Sequence, residues 1–175
     1  MQTKIDLCSQ ALLKIGEPAI TSFTDNNAAS QIANKLYDMT IDNLLCLHTW
    51  RFATKKYELT KTADGHFPIP GDILRILNSS APNYELAGDK IMAASDKIEI
   101  TGIARIGAES FPAYFIQPAV TKLAMGFSIP LAGNRNTFAI LNALFESELR
   151  AAKFIDSASN PNQSIENFSL LTTRF

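Results

Sequence analysis

Apolar residues recur every three or four positions in four stretches of this chain, which is the periodicity of amphipathic helices. The first stretch begins at a capping pair, Thr3 and Asp6, and ends at the helix-stopping residues Gly16 and Pro18. Its inward positions are Ile5, Cys8, Leu12 and Ile15. A second helix is predicted to begin at Asp25, whose side chain suits the N-cap position. Its apolar face is Ala29, Ile32, Ala33, Leu36, Met39, Leu44 and Leu47.

Two further helices are predicted in the second half of the chain. One begins after Ser110, and we expect a bend or restart at Pro118, because an interior proline disrupts helical hydrogen bonds. Beyond that point its apolar face is Val120, Leu123, Ala124 and Phe127. The last helix covers residues 138–155. Its predicted inward positions are Leu141, Leu144, Phe145, Leu149, Ala152 and Ile155.

Between these two pairs of helices, the apolar period changes from helical to alternating. Residues 73–77 form a short β-type run, and residues 97–106 alternate between apolar and polar positions. Residues 84–87 and 90–93 flank the dipeptide Gly88-Asp89, which is typical of a two-residue hairpin. The pattern predicts a small antiparallel sheet of three or four strands.

Together these patterns predict a mainly α protein: a four-helix bundle with a small antiparallel β insert and an extended C-terminal arm. The predicted boundaries are residues 1–59 and 109–156 for the bundle, 60–108 for the β insert and 157–175 for the arm. A polar linker precedes the apolar part of the arm, so we expect the arm to bind a partner rather than fold back over its own bundle. The expected contact residues are Ile165, Phe168, Leu170, Leu171, Arg174 and Phe175.

The only tryptophan, Trp50, lies where the second helix meets the β insert. A large aromatic residue at such a joint normally fixes two elements together, so Trp50 and Phe52 are predicted to form a packing hub. The residue between them, Arg51, has two interpretations. Its cation could stack or pair with a neighbour, or it could stabilise the C-terminus of the preceding helix.

In this order along the chain, several stretches resemble the head–tail adaptors of tailed phages, especially the tail tubular protein A and head-completion type of short-tailed phages. The stretches are residues 11–18 (ALLKIGEP), 20–25 (ITSFTD), 48–53 (HTWRFA), 69–75 (IPGDILR), 118–124 (PAVTKLA) and 151–153 (AAK). Ala33, Leu36, Tyr37-Asp38, Leu44-Leu45, Asp156 and Arg174 add to the resemblance. Thr49 departs from it, because a proline is expected immediately before the tryptophan.

The resemblance implies a non-enzymatic structural protein of the virion neck, assembled in the host cytoplasm. It implies a ring, expected to be a dodecamer, between the portal protein and a downstream tail protein. In such adaptors the helical bundles pack side by side, the C-terminal arm grips the portal or a neighbouring subunit, and the β insert faces the tail. DNA is then only a transiting cargo.

Composition is consistent with that expectation. The net charge is −1 over 175 residues, without the basic stripe that marks a dedicated nucleic-acid binder. Cys8 and Cys46 stand at helical positions among apolar residues, so two free thiols are expected rather than a disulfide. We find no signal-peptide pattern and no long apolar run, so a soluble protein without a membrane partner is expected.

Side chains with catalytic potential are few and scattered. Cys46 and His48 are the only close pair of metal-binding type, and two residues apart on a helix they point to different faces. Glu146 and Glu148 could supply the two carboxylates of a glycosidase, but their side chains diverge by about 200°. We therefore predict no catalytic, metal or cofactor site and interpret both glutamates as solvated.

Two rival functions remain open. One is a peptidoglycan-degrading glycosidase carried in the virion, which would digest cell-wall material. The other is an intracellular helical interaction module, which would not sediment with a portal protein.

Overall fold

The computed structural model describes residues 2–132 and 135–159, and this part of the chain contains four α-helices and six β-strands. The helices are α1 (Lys4–Lys14), α2 (Ala28–Cys46), α3 (Ala113–Ala132) and α4 (Arg135–Ala158). The strands are β1 (Thr54–Thr60), β2 (Phe67–Pro68), β3 (Ile73–Ser79), β4 (Tyr84–Ala87), β5 (Lys90–Ala93) and β6 (Lys97–Ala104). Short 3₁₀ turns cover Arg51–Ala53 and Ala108–Ser110.

The prediction of a mainly α four-helix bundle is wrong, because the protein is mixed α/β, with 51% helix and 21% strand. The sequence underestimated the strand content for a physical reason. Strand β1 lies at a sheet edge and exposes several polar side chains, so its apolar alternation is weak. Strand β2 has only two residues, too few to show a period.

The strands form two antiparallel three-stranded sheets, with orders β1-β6-β3 and β2-β5-β4. The hairpin predicted around Gly88-Asp89 is confirmed, since Ala87 pairs with Lys90 across that turn. Gly88 has φ of 63°, and no non-glycine residue among those described has a positive φ. Glycine at the first central position is the requirement of a type II′ turn, whose twist matches the flanking strands.

Helix α3 is central to the helical layer, because it packs against each of α1, α2 and α4. Its sequence is accordingly apolar around most of its circumference. The helix continues through Pro118 and Pro130, so of the bend or restart expected at Pro118 the restart is wrong. An interior proline costs about 3 kcal/mol, and burial of Pro118 among apolar neighbours offsets that cost.

Two apolar cores hold the fold together. The larger lies between the helices and includes Ile103 from β6, and the smaller lies between the two sheets around Phe67, Ile98 and Ile100. Strand β6 therefore passes from one core into the other. Arg105, just after β6, forms a bidentate ion pair with Asp42 of α2 and fixes the first sheet against the helices.

Helix α1 begins at the residue that the sequence predicts, whereas α2 begins at a different one. The capping box of Thr3 and Asp6 is confirmed at the start of α1. Helix α2 is capped by Asn27, not by Asp25. The Asp25 carboxylate instead accepts hydrogen bonds from the backbone N–H groups of Thr21 and Ser22, so it stabilises the preceding turn.

Candidate interaction surface

Helix α4 exposes a row of apolar side chains along its outward side, which we call the outer stripe. The outer stripe consists of Ile140, Leu144, Ala151, Phe154 and Ile155. Ile140 is 69% exposed and Phe154 is 75% exposed. Their spacing of three, four and seven residues places them on one side of the helix. Solvent-exposed apolar rows of this kind mark surfaces that another molecule covers.

The predicted inward placement of Leu144 and Ile155 is wrong, because both side chains belong to the outer stripe. Among the described elements, α3 is the only one with which α4 makes an extensive contact, and a single neighbouring helix covers only a narrow face. The covered face of α4 is Leu141, Phe145, Leu149, Ala152 and Asp156. The remaining apolar residues face solvent, so the apolar arc of α4 is wider than its own core requires.

A polar cluster fixes the middle of α4 against α1 and α3. Thr121 is fully buried, and its hydroxyl donates to Glu148 Oε2 at 2.5 Å and accepts from Lys14 Nζ at 2.6 Å. Lys14 Nζ also lies 3.5 Å from Glu148 Oε1. Glu148 is therefore a structural ion-pair partner and not the solvated residue that was predicted. Glu146 is exposed as expected, so the two glutamates do not share a site.

A second polar cluster fixes the C-terminal end of α4, just before the arm. Asp156 is 1% exposed and accepts a hydrogen bond from the Tyr114 hydroxyl at 2.7 Å. The Arg51 backbone N–H donates to both Asp156 oxygens at 3.3 Å, and His48 Nε2 lies 3.5 Å from Oδ2. A buried carboxylate with several donors stabilises one arrangement of its neighbours. The start of the arm is consequently held in a defined position on the core.

The titration of this cluster follows from its burial. Burial lowers the pKa of His48, and the nearby Asp156 carboxylate only partly opposes that effect. The positive charges of Lys153 and Arg75 lower the His48 pKa further. Burial, followed by the hydrogen bond to Asp156, raises the pKa of Tyr114 well above its usual value, so its hydroxyl stays a donor.

Trp50 and Phe52, the predicted packing hub, lie directly beside this cluster. The Trp50 ring is fully buried, and its Nε1 donates to the Leu44 carbonyl at 3.2 Å. Its edge-on neighbours are His48 at 4.8 Å and Phe115 at 5.0 Å between ring centroids. Phe52 contacts Phe115 at 4.9 Å, so both aromatic residues pack between the end of α2 and the start of α3. The Arg51 side chain is exposed, and it is the Arg51 backbone that makes the contact to Asp156.

On its other flank, α4 borders an open apolar cleft of about 310 Å³, which we call the α2–α3 cleft. Its lining includes the exposed side chains of Met39, Ile129 and Phe138 and the buried side chain of Met125. Lys122 also lines the cleft, and its Nζ lies 4.8 Å from the centre of the Phe145 ring. This charge is thus drawn over an aromatic face.

The predicted arm contacts, Ile165, Phe168, Leu170, Leu171, Arg174 and Phe175, lie outside the described residues. Within the described ranges, no three His, Cys, Asp or Glu side chains are grouped so that they could hold a metal ion. Cys8 and Cys46 are both free thiols, as expected. None of the described helices has the length and apolar character needed to cross a membrane.

No protein-family model matches this sequence, and no curated protein matches it.

Sequence reasoning missed Asp156 and Tyr114 as a structural pair, although one signal was available. Asp156 follows Leu149 and Ala152 at helical spacing, so it falls on the buried face of α4. A carboxylate on the buried face of a helix needs a hydrogen-bond donor or a cation as its partner. The identity of the partner, from a residue 42 positions earlier, is not visible in the sequence.

Proposed function

We propose that this chain is a structural head–tail adaptor, which forms a ring between the portal and the tail of a phage and lets DNA pass through. The observation that carries the proposal is the outer stripe. It lies on the last described helix, which precedes the polar linker and the predicted apolar arm, and the ordered resemblance of the sequence to such adaptors supports the same conclusion. An adaptor must bind several proteins at once, and the chain offers separate surfaces for doing so.

The energetics favour a protein partner for the outer stripe. Single exposed apolar residues are normal on protein surfaces, but five on one side of a helix, interrupted only by the exposed Ser147, are less common. Full burial of a side chain the size of Phe154 or Ile140 stabilises a complex by about 1.5–3 kcal/mol, before the entropic cost of association is subtracted. The outer stripe can therefore contribute binding free energy to an assembly, and whether the assembly forms still depends on protein concentration.

The position of the arm strengthens this argument. Because Asp156 fixes the end of α4, a partner that binds the outer stripe meets the start of the arm at a known place. Two linked contacts raise the effective concentration of the second, so stripe and arm together bind more tightly than either alone.

The test is addition of the purified protein to phage heads that carry a portal but lack the adaptor. We expect sedimentation with the heads and a ring at the portal vertex by electron microscopy. The double variant Ile140→Ser, Phe154→Ser should bind at least about tenfold more weakly, since about 1.4 kcal/mol corresponds to that factor. Leu86→Ser, at an apolar position on β4 that is 53% exposed, is the control. The proposal is contradicted if the wild-type protein neither sediments with the heads nor forms a ring at the portal vertex.

The glycosidase alternative has its own test. We expect no clearing of peptidoglycan in a zymogram, because Glu148 is held by Lys14 and Thr121 while Glu146 lies on a different side of α4. Glu146→Gln and Glu148→Gln serve as controls. A clearing zone from the wild type that disappears in either variant would replace the structural assignment with an enzymatic one.

A further inference from the structure

We propose that strand β4 binds an extended segment of another protein, which pairs with its free edge as a further strand and carries basic side chains beside Glu85. The site lies on the second sheet, so it is separate from the outer stripe of α4. Three features support it: a sheet edge without the usual protection, an apolar groove beside that edge and the charge of Glu85.

Each of the two sheets has two edge strands, and three of these four edges carry a feature that opposes pairing with another chain. Natural proteins protect sheet edges with charged side chains, prolines or β-bulges. Strand β1 exposes Lys55, Lys56 and Glu58. Strand β2 has two residues, one of them Pro68, and two register shifts interrupt the pairing of β3 with β6. Strand β4 has no lysine, proline or register shift, and its only charge is Glu85.

The backbone of β4 offers hydrogen-bonding groups to an added strand. Ala87 and Lys90 flank a two-residue turn, so their backbone groups bond to each other between β4 and β5. Residues along an antiparallel pair alternate between bonded and non-bonded positions. Glu85 therefore bonds to β5, whereas the N–H and C=O groups of Tyr84 and Leu86 point away from β5. No hydrogen bond to these outward groups occurs among the described residues.

An apolar groove of about 520 Å³ adjoins this edge, between β4 and β3. Leu86 pairs with Ile91, which is buried between the sheets, so the Leu86 side chain points to the same side and lines the groove. Ile73 and Ile76 of β3 line the groove from the other sheet. Because side chains of a strand alternate in direction, an added strand directs every second side chain towards the groove. Apolar side chains fit those positions.

The other side chains of the added strand share the outer face of the sheet with Glu85. Glu85 is exposed, and its cross-strand neighbour on β5 is the uncharged Met92. Opposite charges on neighbouring strands stabilise a sheet, and like charges destabilise it, so lysine or arginine is favoured beside Glu85. A second copy of this chain fits less well. A two-fold pairing of β4 centred on Glu85 would set two carboxylates opposite each other.

The test uses the full chain, isotope-labelled for NMR, and a short synthetic peptide of alternating valine and lysine. In the free protein, the amides of Tyr84 and Leu86 should exchange rapidly with solvent. With the peptide at about ten times its dissociation constant, their exchange should slow about tenfold, because the bound state protects them. The amides of the protected edge strand β1 should be unaffected.

The charge preference is tested with a second peptide, in which glutamate replaces lysine. This peptide should bind the wild type about fivefold more weakly, since cross-strand charge pairs contribute up to about 1 kcal/mol. Glu85→Lys should reverse the preference between the two peptides.

The role of the backbone is tested with a proline variant. Tyr84→Pro removes one outward N–H at the first residue of an edge strand, a position that tolerates proline. It should bind the lysine peptide about fivefold more weakly than Tyr84→Ala, which loses the same ring but keeps the N–H. Slow exchange of the Ala87 amide, which bonds to β5, reports that the hairpin of the proline variant is intact.

Three results overturn the proposal, and none of them depends on the proline variant. Slow exchange of the Tyr84 and Leu86 amides in the free protein shows that a second copy or another part of this chain already covers the edge. Unchanged exchange up to the solubility limit of the lysine peptide shows that the edge accepts no strand. Equal binding of both peptides to the wild type and to Glu85→Lys shows that the site does not select a basic partner.

Discussion

At the scale of single residues, the end of α2 and the end of α4 are joined by a few side chains of mixed character. Trp50 supplies a buried aromatic surface, and Asp156 supplies a buried acceptor beside it. His48 touches both, through its ring edge on Trp50 and through Nε2 near the carboxylate. Apolar packing and charge-assisted hydrogen bonding thus stabilise the same joint. Substitutions there should therefore change the free energy of unfolding of the whole protein.

Trp50→Ala should lower the free energy of unfolding by about 3–5 kcal/mol, because it leaves a large cavity among His48, Phe52 and Phe115. Urea denaturation followed by circular dichroism measures the change. The matched control is Tyr84→Ala, an exposed aromatic residue on β4, for which a change within about 0.5 kcal/mol is expected. An unchanged unfolding midpoint for Trp50→Ala would remove its role as a packing hub.

Stability should fall as the pH drops from about 7.5 to about 5.5, and His48 should account for part of that fall. The folded state lowers the pKa of His48, mainly through burial, so the unfolded chain binds the proton more readily in this window. Stability therefore rises with pH here. The carboxylates of Asp6, Asp25 and Asp72, whose pKa values are lowered, titrate below the window.

The check is urea denaturation at several pH values for the wild type and His48→Gln. A shallower pH dependence is expected for the variant. Identical slopes for the two proteins would assign the effect to other groups.

At the scale of elements, α4 combines three functions in one helix. Its inner face packs on α3, its polar side chains Glu148 and Asp156 fix its middle and its end, and its outer stripe stays available. The polar anchors matter because a helix with one extensive neighbour has few other constraints on its rotation. Rotation of α4 about its axis would bury the outer stripe and expose the inner face, and the two anchors oppose that change.

Glu148→Ala should lower the free energy of unfolding by about 1–3 kcal/mol, because it leaves the buried Thr121 hydroxyl without its acceptor and the Lys14 ammonium without its ion-pair partner. Glu146→Ala removes the same number of atoms from an exposed position on the same helix. That control should change stability by less than about 0.5 kcal/mol. Equal effects of the two substitutions, measured by thermal unfolding, would argue against the anchoring role of Glu148.

At the scale of the whole molecule, two apolar cores are joined by β6 and by the Arg105–Asp42 ion pair. Both described cores are built from residues between Leu7 and Ala152. The outer stripe and the α2–α3 cleft are surfaces of the body built on these cores.

Truncation after Ser159 should leave the melting temperature and the slope of denaturant unfolding unchanged, because the polar sequence of residues 160–164 predicts a linker between the helical body and the arm. Binding to portal-bearing heads should be lost, since Phe168 and Phe175 are the expected anchors. A co-sedimentation assay compares the truncated chain with the full chain. Full-affinity binding by the truncated chain would show that the arm has no part in portal recognition.

Local sequence signals determined much of the chain's secondary structure. The capping box at Thr3, the turn at Gly88 and the apolar period of α4 each depend on residues within a few positions of one another, so they can be read without knowledge of the fold. The same reasoning placed an aromatic hub at Trp50, which is fully buried. It failed where local signals are short or weak, as in the polar edge strand β1 and the two-residue strand β2.

Only the tertiary structure decided which apolar residues are inside. Leu144 and Phe145 are both apolar and adjacent, yet one faces solvent and the other the core, because α4 has a single extensive helix neighbour. Likewise, nothing in the local sequence around Glu148 and Asp156 distinguishes them from solvent-exposed carboxylates. Their hydrogen-bond partners lie 27 and 42 residues away, and those contacts anchor α4 in the folded protein. Helical periodicity reports the width of an apolar face but not how much of it another element covers. Coverage depends on contacts between distant parts of the chain, and those exist only in the folded molecule.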